Sequence, residues 1–220
     1  MLRDVCARTR GAPRPSTTVT LPNPWDARTA PRASRAHNPT QGCEHDGVLS
    51  DGGIYVGRVG DHAVEFKRFH AQDGSGAWLL RRAGVTLVLA SGRHSEATTI
   101  RAREMKIDEV LEDETGGGRK LATFEAMLAR RGVAWDACAF VGDDLADLPL
   151  LTRVTLPIAV ANAVPEVKAA AAVVTRRAGG EGVVRELAEL ILTARGTWEE
   201  TVHQYLEERG DVARREARSR

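Results

Sequence analysis

Three carboxylates, Asp143, Asp144 and Asp147, follow directly on the apolar run Ala137–Val141. Ser91-Gly92-Arg93 follows another apolar run, Val85–Ala90, and Lys120 opens a helical stretch. Glu44-His45-Asp46-Gly47 stands near the start of the apolar part of the chain. Carboxylates, a hydroxyl, a fixed cation and a guanidinium make one kind of chemistry. Hard oxygen donors with water suit Mg²⁺, and a divalent ion beside Lys and Arg suits an anionic phosphoryl group. Each piece alone has a plainer meaning. Gly-Asp-Asp is common in surface turns, Ser91 can serve as a helix N-cap, and helix starts often carry Lys or Arg, so Arg119 competes with Lys120. What raises them above that is their shared position at the ends of apolar runs.

The elements that must position these residues are legible from hydrophobic patterning. Val85–Ala90 and Ala137–Val141 read as strands buried on both faces, with shorter strands at Ile107–Leu111, Leu156–Val160 and Ala172–Thr175. Helices are predicted at Gly74–Ala83, His94–Met105, Lys120–Arg131, Ala146–Thr152, Val164–Ala171, Glu181–Ala194 and Trp198–Arg209. Ile54–Val56 and Ala63–Phe69 read as a small hairpin around a Gly57–Asp61 loop. Strand–helix alternation at this spacing predicts an α/β fold with a doubly wound parallel sheet. Ligands in such sheets bind beyond the carboxyl ends of the strands, where the candidate residues lie.

Composition narrows the rest. The 220 residues suit one domain with tails, and charge is unevenly spread. Residues 1–42 carry seven Arg, two Asp and six of the nine prolines, and are expected to be disordered. Residues 209–220 form a second basic tail, so the body, 43–208, has a net charge of −7 and is a poor candidate for nucleic acid. Apolar runs are too short for a membrane span. Three cysteines without zinc-motif spacing exclude a disulfide scaffold and favour the reducing cytoplasm. Cys138 reads as a buried small hydrophobe, His45 and His70 as non-catalytic, and Trp198, Val202 and Tyr205 as a packing stripe.

Together these residues resemble the haloacid dehalogenase superfamily of phosphohydrolases, which has a Rossmann-like core. Within it, Asp46 to Tyr55, Phe66-Lys67-Arg68-Phe69-His70, Asp73-Gly74, Ser91-Gly92-Arg93, Val141 to Leu145, Pro165-Glu166-Val167-Lys168 and Gly179-Gly180-Glu181-Gly182 are similar to the 3-deoxy-D-manno-octulosonate 8-phosphate phosphatases. The resemblance runs in order from about residue 44 to about 206 and implies a hairpin flap, no large cap domain, and a homotetramer. It implies that the slot of Glu44 holds the nucleophile and that Asp46 is the general acid–base. Ser91 and Lys120 would hold the phosphoryl group. Mg²⁺ would sit between Glu44, the carbonyl of Asp46 and Asp143, with Asp144 and Asp147 orienting those ligands. Arg93, Gly92, Gly179 and Gly180 would face the phosphorylated sugar-acid substrate of lipopolysaccharide synthesis.

Two departures from the family pattern stand out. The nucleophile slot holds Glu rather than Asp, and the preceding Asn38-Pro39-Thr40-Gln41-Gly42-Cys43 lacks the apolar character of a central strand. Thr17–Leu21 is an alternative occupant of that strand position. The same departures give a second reading, a catalytically silent descendant serving as an oligomerisation or sugar-phosphate-binding module.

Overall fold

The computed structural model describes residues 40–112 and 119–210. The expected disorder before residue 40, the strand character of Thr17–Leu21, the acidic stretch at 113–118 and the basic tail from 211 lie outside the described residues. Eight strands and seven α-helices are described. The strands are β1 (Thr40–Glu44), β2 (Tyr55–Val59), β3 (His62–Phe66), β4 (Thr86–Ser91), β5 (Glu109–Glu112), β6 (Cys138–Gly142), β7 (Leu156–Ala159) and β8 (Val173–Val174). The helices are α1 (Ala71–Arg82), α2 (Glu96–Met105), α3 (Lys120–Arg131), α4 (Leu148–Leu151), α5 (Pro165–Ala170), α6 (Val183–Arg195) and α7 (Trp198–Glu208).

Six strands form a parallel sheet in the order β5-β4-β1-β6-β7-β8, with β2 and β3 paired apart as the hairpin. Helices α1, α2, α6 and α7 pack together on one face, and α3, α4 and α5 on the other. The sheet is the doubly wound α/β architecture expected from the alternation. Strand order reverses beside β1, so the crevice for ligands opens at the carboxyl ends of β4, β1 and β6. Its neighbours supply the core: Val88, Leu89, Ala90, Phe140 and Val141 are essentially fully buried.

The expectation of a damaged first strand is corrected. Thr40–Glu44 occupies the sheet's centre, in register with Thr86–Ala90 on β4, while Thr40–Cys43 pairs with Cys138–Val141 on β6. Among the described residues, β1 already includes Thr40, three residues ahead of Cys43. The reason lies in the backbone. Both neighbouring strands present rows of peptide groups that need partners, and a five-residue extended segment supplies them whatever its side chains.

The hairpin needs a smaller correction. Its turn is the two-residue Gly60-Asp61 rather than Gly57–Asp61, and Gly57 pairs with Val64 inside the ladder. A two-residue loop needs positive φ at its first position, and Gly60 supplies it at 60°. Ser50 and Phe69 form an antiparallel bridge where the chain leaves and rejoins the body. Ile54, Val56, Val59 and Phe66 on the hairpin are each at least 60% exposed.

Helix α1 begins at Ala71, before the expected Gly74, because the His70 ring accepts from the Gln72 amide as an N-cap. Its Asp73 is fully buried, with Oδ1 accepting from the Arg185 amide of α6 at 3.1 Å. Burial pushes this carboxyl up to about 6, against the opposing pull of the Arg185 amide and of His70. Folding therefore favours the neutral acid relative to the unfolded chain, and the carboxylate predominates only above about pH 6. Its ionisation costs nothing below the unfolded value near 3.8, and the cost grows as pH rises until it is complete above about 6. That cost is on the order of 3 kcal/mol. Urea unfolding of wild type and Asp73→Asn at pH 4.5 and pH 7.5 should show the wild type losing ground to the variant at the higher pH. An unchanged difference would mean that Asp73 does not titrate between the two.

Candidate active site

The residues nominated from sequence come from the carboxyl ends of β1, β4 and β6, the start of α3 and the turn before α6. Glu44 closes β1 opposite Ala90, and Ser91 closes β4 one residue further on. The chain after Glu44 does not enter a regular helix but makes a π-helical turn, His45–Leu49, which carries Asp46 past the carboxyl end of β1. Gly47 in that turn has φ of 82°. A Cβ at Gly47 would lie 1.9 Å from Asp143 Oδ2. The Asp143 carboxylate thus rests on the backbone one residue after Asp46, and only glycine leaves room for it. The carboxylate of Asp143, just past β6, meets the segment that carries the Asp46 carbonyl, and the donor set is the hard-oxygen kind that Mg²⁺ takes.

Asp147 organises the other side of the crevice. It is fully buried, and its Oδ2 accepts from the amides of Asp143 at 2.9 Å and Asp144 at 3.2 Å. Its Oδ1 accepts from Lys120 Nζ at 2.9 Å, and Lys120 is itself buried. One side chain therefore fixes the Asp143 turn and draws the ammonium at the start of α3 toward it. Asp144 accepts from the Leu145 amide at 2.7 Å and forms a capping box with Asp147. Cys138 is buried as expected, which pushes its thiol up to about 12.

Ser91 and Arg93 stand at the same rim but turn elsewhere. The Ser91 hydroxyl donates to the Arg93 carbonyl at 2.6 Å and accepts from the Arg93 amide at 3.1 Å, folding Ser91-Gly92-Arg93 into a tight turn. A hydroxyl can rotate to another acceptor. Arg93 reaches the hairpin, where its guanidinium donates to Glu65 Oε1 at 2.6 Å, and Ser95 donates to Glu65 Oε2 at 2.9 Å. Burial works against ionisation of Glu65, but these two hydrogen bonds outweigh it and hold the carboxyl below its usual range.

Gly179 and Gly180 lie against the loop that follows β1. A Cβ at Gly179 would lie 1.8 Å from the Gly47 carbonyl oxygen, and one at Gly180 would lie 2.5 Å from the Asp51 amide nitrogen. The Gly180 amide donates to the Val48 carbonyl at 3.0 Å. Asn162, past the end of β7, accepts from the Gly179 amide at 2.8 Å. Sequence reasoning missed Asn162, although a polar residue just beyond a strand end is a usable signal. Gly179→Ala should displace the Gly47 backbone and with it the seat of Asp143. At least a ~100-fold loss of turnover in a phosphate-release assay is expected. Activity within a few-fold of the parent would show that the turn is not part of the site.

A family model for haloacid dehalogenase-like hydrolases matches residues 114–187. The 3-deoxy-D-manno-octulosonate 8-phosphate phosphatase KdsC of Escherichia coli is 37% identical over 159 residues, 72% of this chain and 81% of that one. The chain belongs to this phosphatase family. The KdsC phosphatase of Salmonella typhi is 36% identical over the same span. Among solved structures, a 3-deoxy-D-manno-octulosonate 8-phosphate phosphatase from Moraxella catarrhalis, in complex with magnesium, phosphate and KDO, has a TM-score of 0.71 at 31% identity. The match covers 79% of this chain and 96% of that structure. A probable phosphatase from Pseudomonas syringae has a TM-score of 0.70 at 38% identity, covering 79% and 94%. The family's haloacid dehalogenase core is thus the architecture of this chain. The described residues contain a small flap hairpin and no large cap domain, and no helix among them is long and apolar enough to cross a membrane.

Proposed function

We propose that the protein is a Mg²⁺-dependent phosphomonoesterase that hydrolyses 3-deoxy-D-manno-octulosonate 8-phosphate to the free sugar acid and inorganic phosphate, a step of lipopolysaccharide precursor synthesis. The observation that carries this reading is the junction at the crevice. The Asp143 carboxylate lies on Gly47, and Asp147 joins the Asp143 turn to Lys120. Its family relatives are phosphatases by name, which favours the enzyme over a silent binding module.

In this reading Glu44, the Asp46 carbonyl and Asp143 would hold Mg²⁺, which when bound would supply positive charge for the phosphoryl oxygens. A carboxylate oxygen of Glu44 attacks phosphorus in line, and the bond from phosphorus to the sugar oxygen breaks. Asp46 gives its proton to that leaving oxygen. Asp46 then takes a proton from water, whose oxygen attacks phosphorus, releasing phosphate and restoring Glu44. Ser91, the Gly92 backbone and Lys120 secure the phosphoryl oxygens. Arg93 exchanges Glu65 for an anionic group of the substrate, and Gly179 and Gly180 shape the wall beside it. Asp144 and Asp147 orient the Asp143 turn.

The exposed apolar face of the hairpin supports a homotetramer, which light scattering at micromolar concentration would reveal. The cysteine usage supports a cytoplasmic site of action. Phosphate release should be measured on 3-deoxy-D-manno-octulosonate 8-phosphate and on nine-carbon ulosonate phosphates, for wild type and Glu44→Asp. Release that EDTA abolishes and Mg²⁺ restores is expected. No release by either protein, with Mg²⁺ binding intact, would assign the chain to the silent module.

A further inference from the structure

The geometry points to Asp73 as a positioning residue for the phosphatase reaction: it caps the start of α6 and thereby holds the Gly179-Gly180 turn on the loop that carries Asp46. This inference rests on the function proposed above. Helix α6 cannot cap itself. Its N-cap is Gly182, which has no side chain and sits at φ 93°. The amide an N-cap side chain would take, that of Arg185 at the third helical position, is bonded instead by Asp73 Oδ1 from α1. Gly76, three residues further along α1, makes this reach possible. A Cβ there would lie 2.7 Å from the Arg185 backbone, so α1 and α6 touch at their main chains.

The other oxygen of Asp73, Oδ2, is buried without a hydrogen-bond partner. A residue kept only for packing at a fully buried position would be apolar. The carboxylate makes sense for the acceptor it provides. From α6 the constraint passes back along a short path. Glu186, in the first turn of α6, accepts from the amides of Arg176 and Arg177. The segment leading into the glycine turn is therefore bound to the helix start, and the turn packs on Gly47, Val48 and Asp51 with no room for a Cβ. Loss of the Asp73 cap would free the helix start and loosen the seat beneath the Asp46 loop.

The test compares Asp73→Ala, Asp73→Asn and Leu192→Ala in the Glu44→Asp background. Leu192 is a fully buried residue near the far end of α6, so its truncation destabilises the domain without touching the cap. Amide exchange at Gly180, read by NMR, reports the turn without any turnover. Asp73→Ala should speed that exchange by about 10-fold or more and lower kcat by a similar factor, with KM changed little. Asp73→Asn keeps an oxygen acceptor and should restore both. Leu192→Ala should do neither at a matched loss of Tm. Unchanged Gly180 exchange in Asp73→Ala, or an equal change in Leu192→Ala, overturns the inference. Absence of phosphate release from the parent instead defeats the phosphatase reading, and the exchange result still decides the role of Asp73.

Discussion

Glu44→Asp should raise kcat for phosphate release by at least ~100-fold while Mg²⁺ binding persists. Glutamate keeps the charge and oxygens of the nucleophile slot but adds a methylene. That extra length moves the attacking carboxylate by roughly 1.5 Å, and misplacements near 1 Å already cost on the order of 100-fold in rate. In-line attack on phosphorus is sensitive to such a shift because it demands near-contact geometry. The fold supplies the strand that delivers residue 44, since β1 sits between β4 and β6 and ends at Glu44. A shortened carboxylate therefore has a strand to deliver it. Activity that stays at background with Mg²⁺ bound would show that side-chain length is not the obstacle. Wild-type turnover equal to that of the aspartate variant would show that Glu44 is not the nucleophile.

Asp147→Ala should have the second large effect, on stability and turnover together. The substitution removes the acceptor for Lys120 and for the amides of Asp143 and Asp144. It leaves an ammonium with a side chain only 9% exposed and no Asp147 carboxylate beside it. Breaking a buried pair from one side costs about 3–5 kcal/mol, a large part of a domain's net stability. Turnover should fall by about 100-fold at temperatures where the variant is still folded, because the Asp143 turn loses its anchor. Urea unfolding with parallel rate measurements checks both. A stability loss under about 1 kcal/mol would mean that Lys120 finds solvent or another acceptor. Lost stability with unchanged kcat would confine Asp147 to the fold.

The parts of this fold that sequence showed were those where side chains do the work. Val85–Ala90 and Ala137–Val141 announced their strands by continuous apolar character, and Lys120–Arg131 began and ended where patterning and Gly132 placed it. β1 was illegible because Gln41 and Gly42 carry no such signal, and its place is set by the unpaired backbone of two neighbours. Gly57 was read as loop because glycine usually marks a turn, whereas here the turn fell to Gly60. In the site, the position after an apolar strand pointed to Asp143 and Asp147, and the start of a helix pointed to Lys120, which Asp147 joins to the Asp143 turn. The tie of Asp73 to α6 spans 112 residues and leaves no local pattern, whereas Asn162, just past β7, carried the strand-end signal and only its partner Gly179 was hidden. The turning of Arg93 to Glu65 was equally hidden, since it depends on how the hairpin folds over the rim.

The Ser50–Phe69 bridge makes the hairpin an exchangeable part. Its two roots are paired to each other, so the chain between them is a closed excursion whose length and tip do not alter the path of β1 into α1. Lengthening such an excursion costs little loop entropy, since each doubling adds only about 0.6 kcal/mol. Replacing residues 54–66 by a hairpin of another size should therefore leave the sheet and the metal-binding crevice standing. It would change what covers Arg93 and how far a bound sugar can extend. The molecule separates the sheet and its crevice from the hairpin that covers Arg93, which gives an engineer a place to cut and paste without refolding the core.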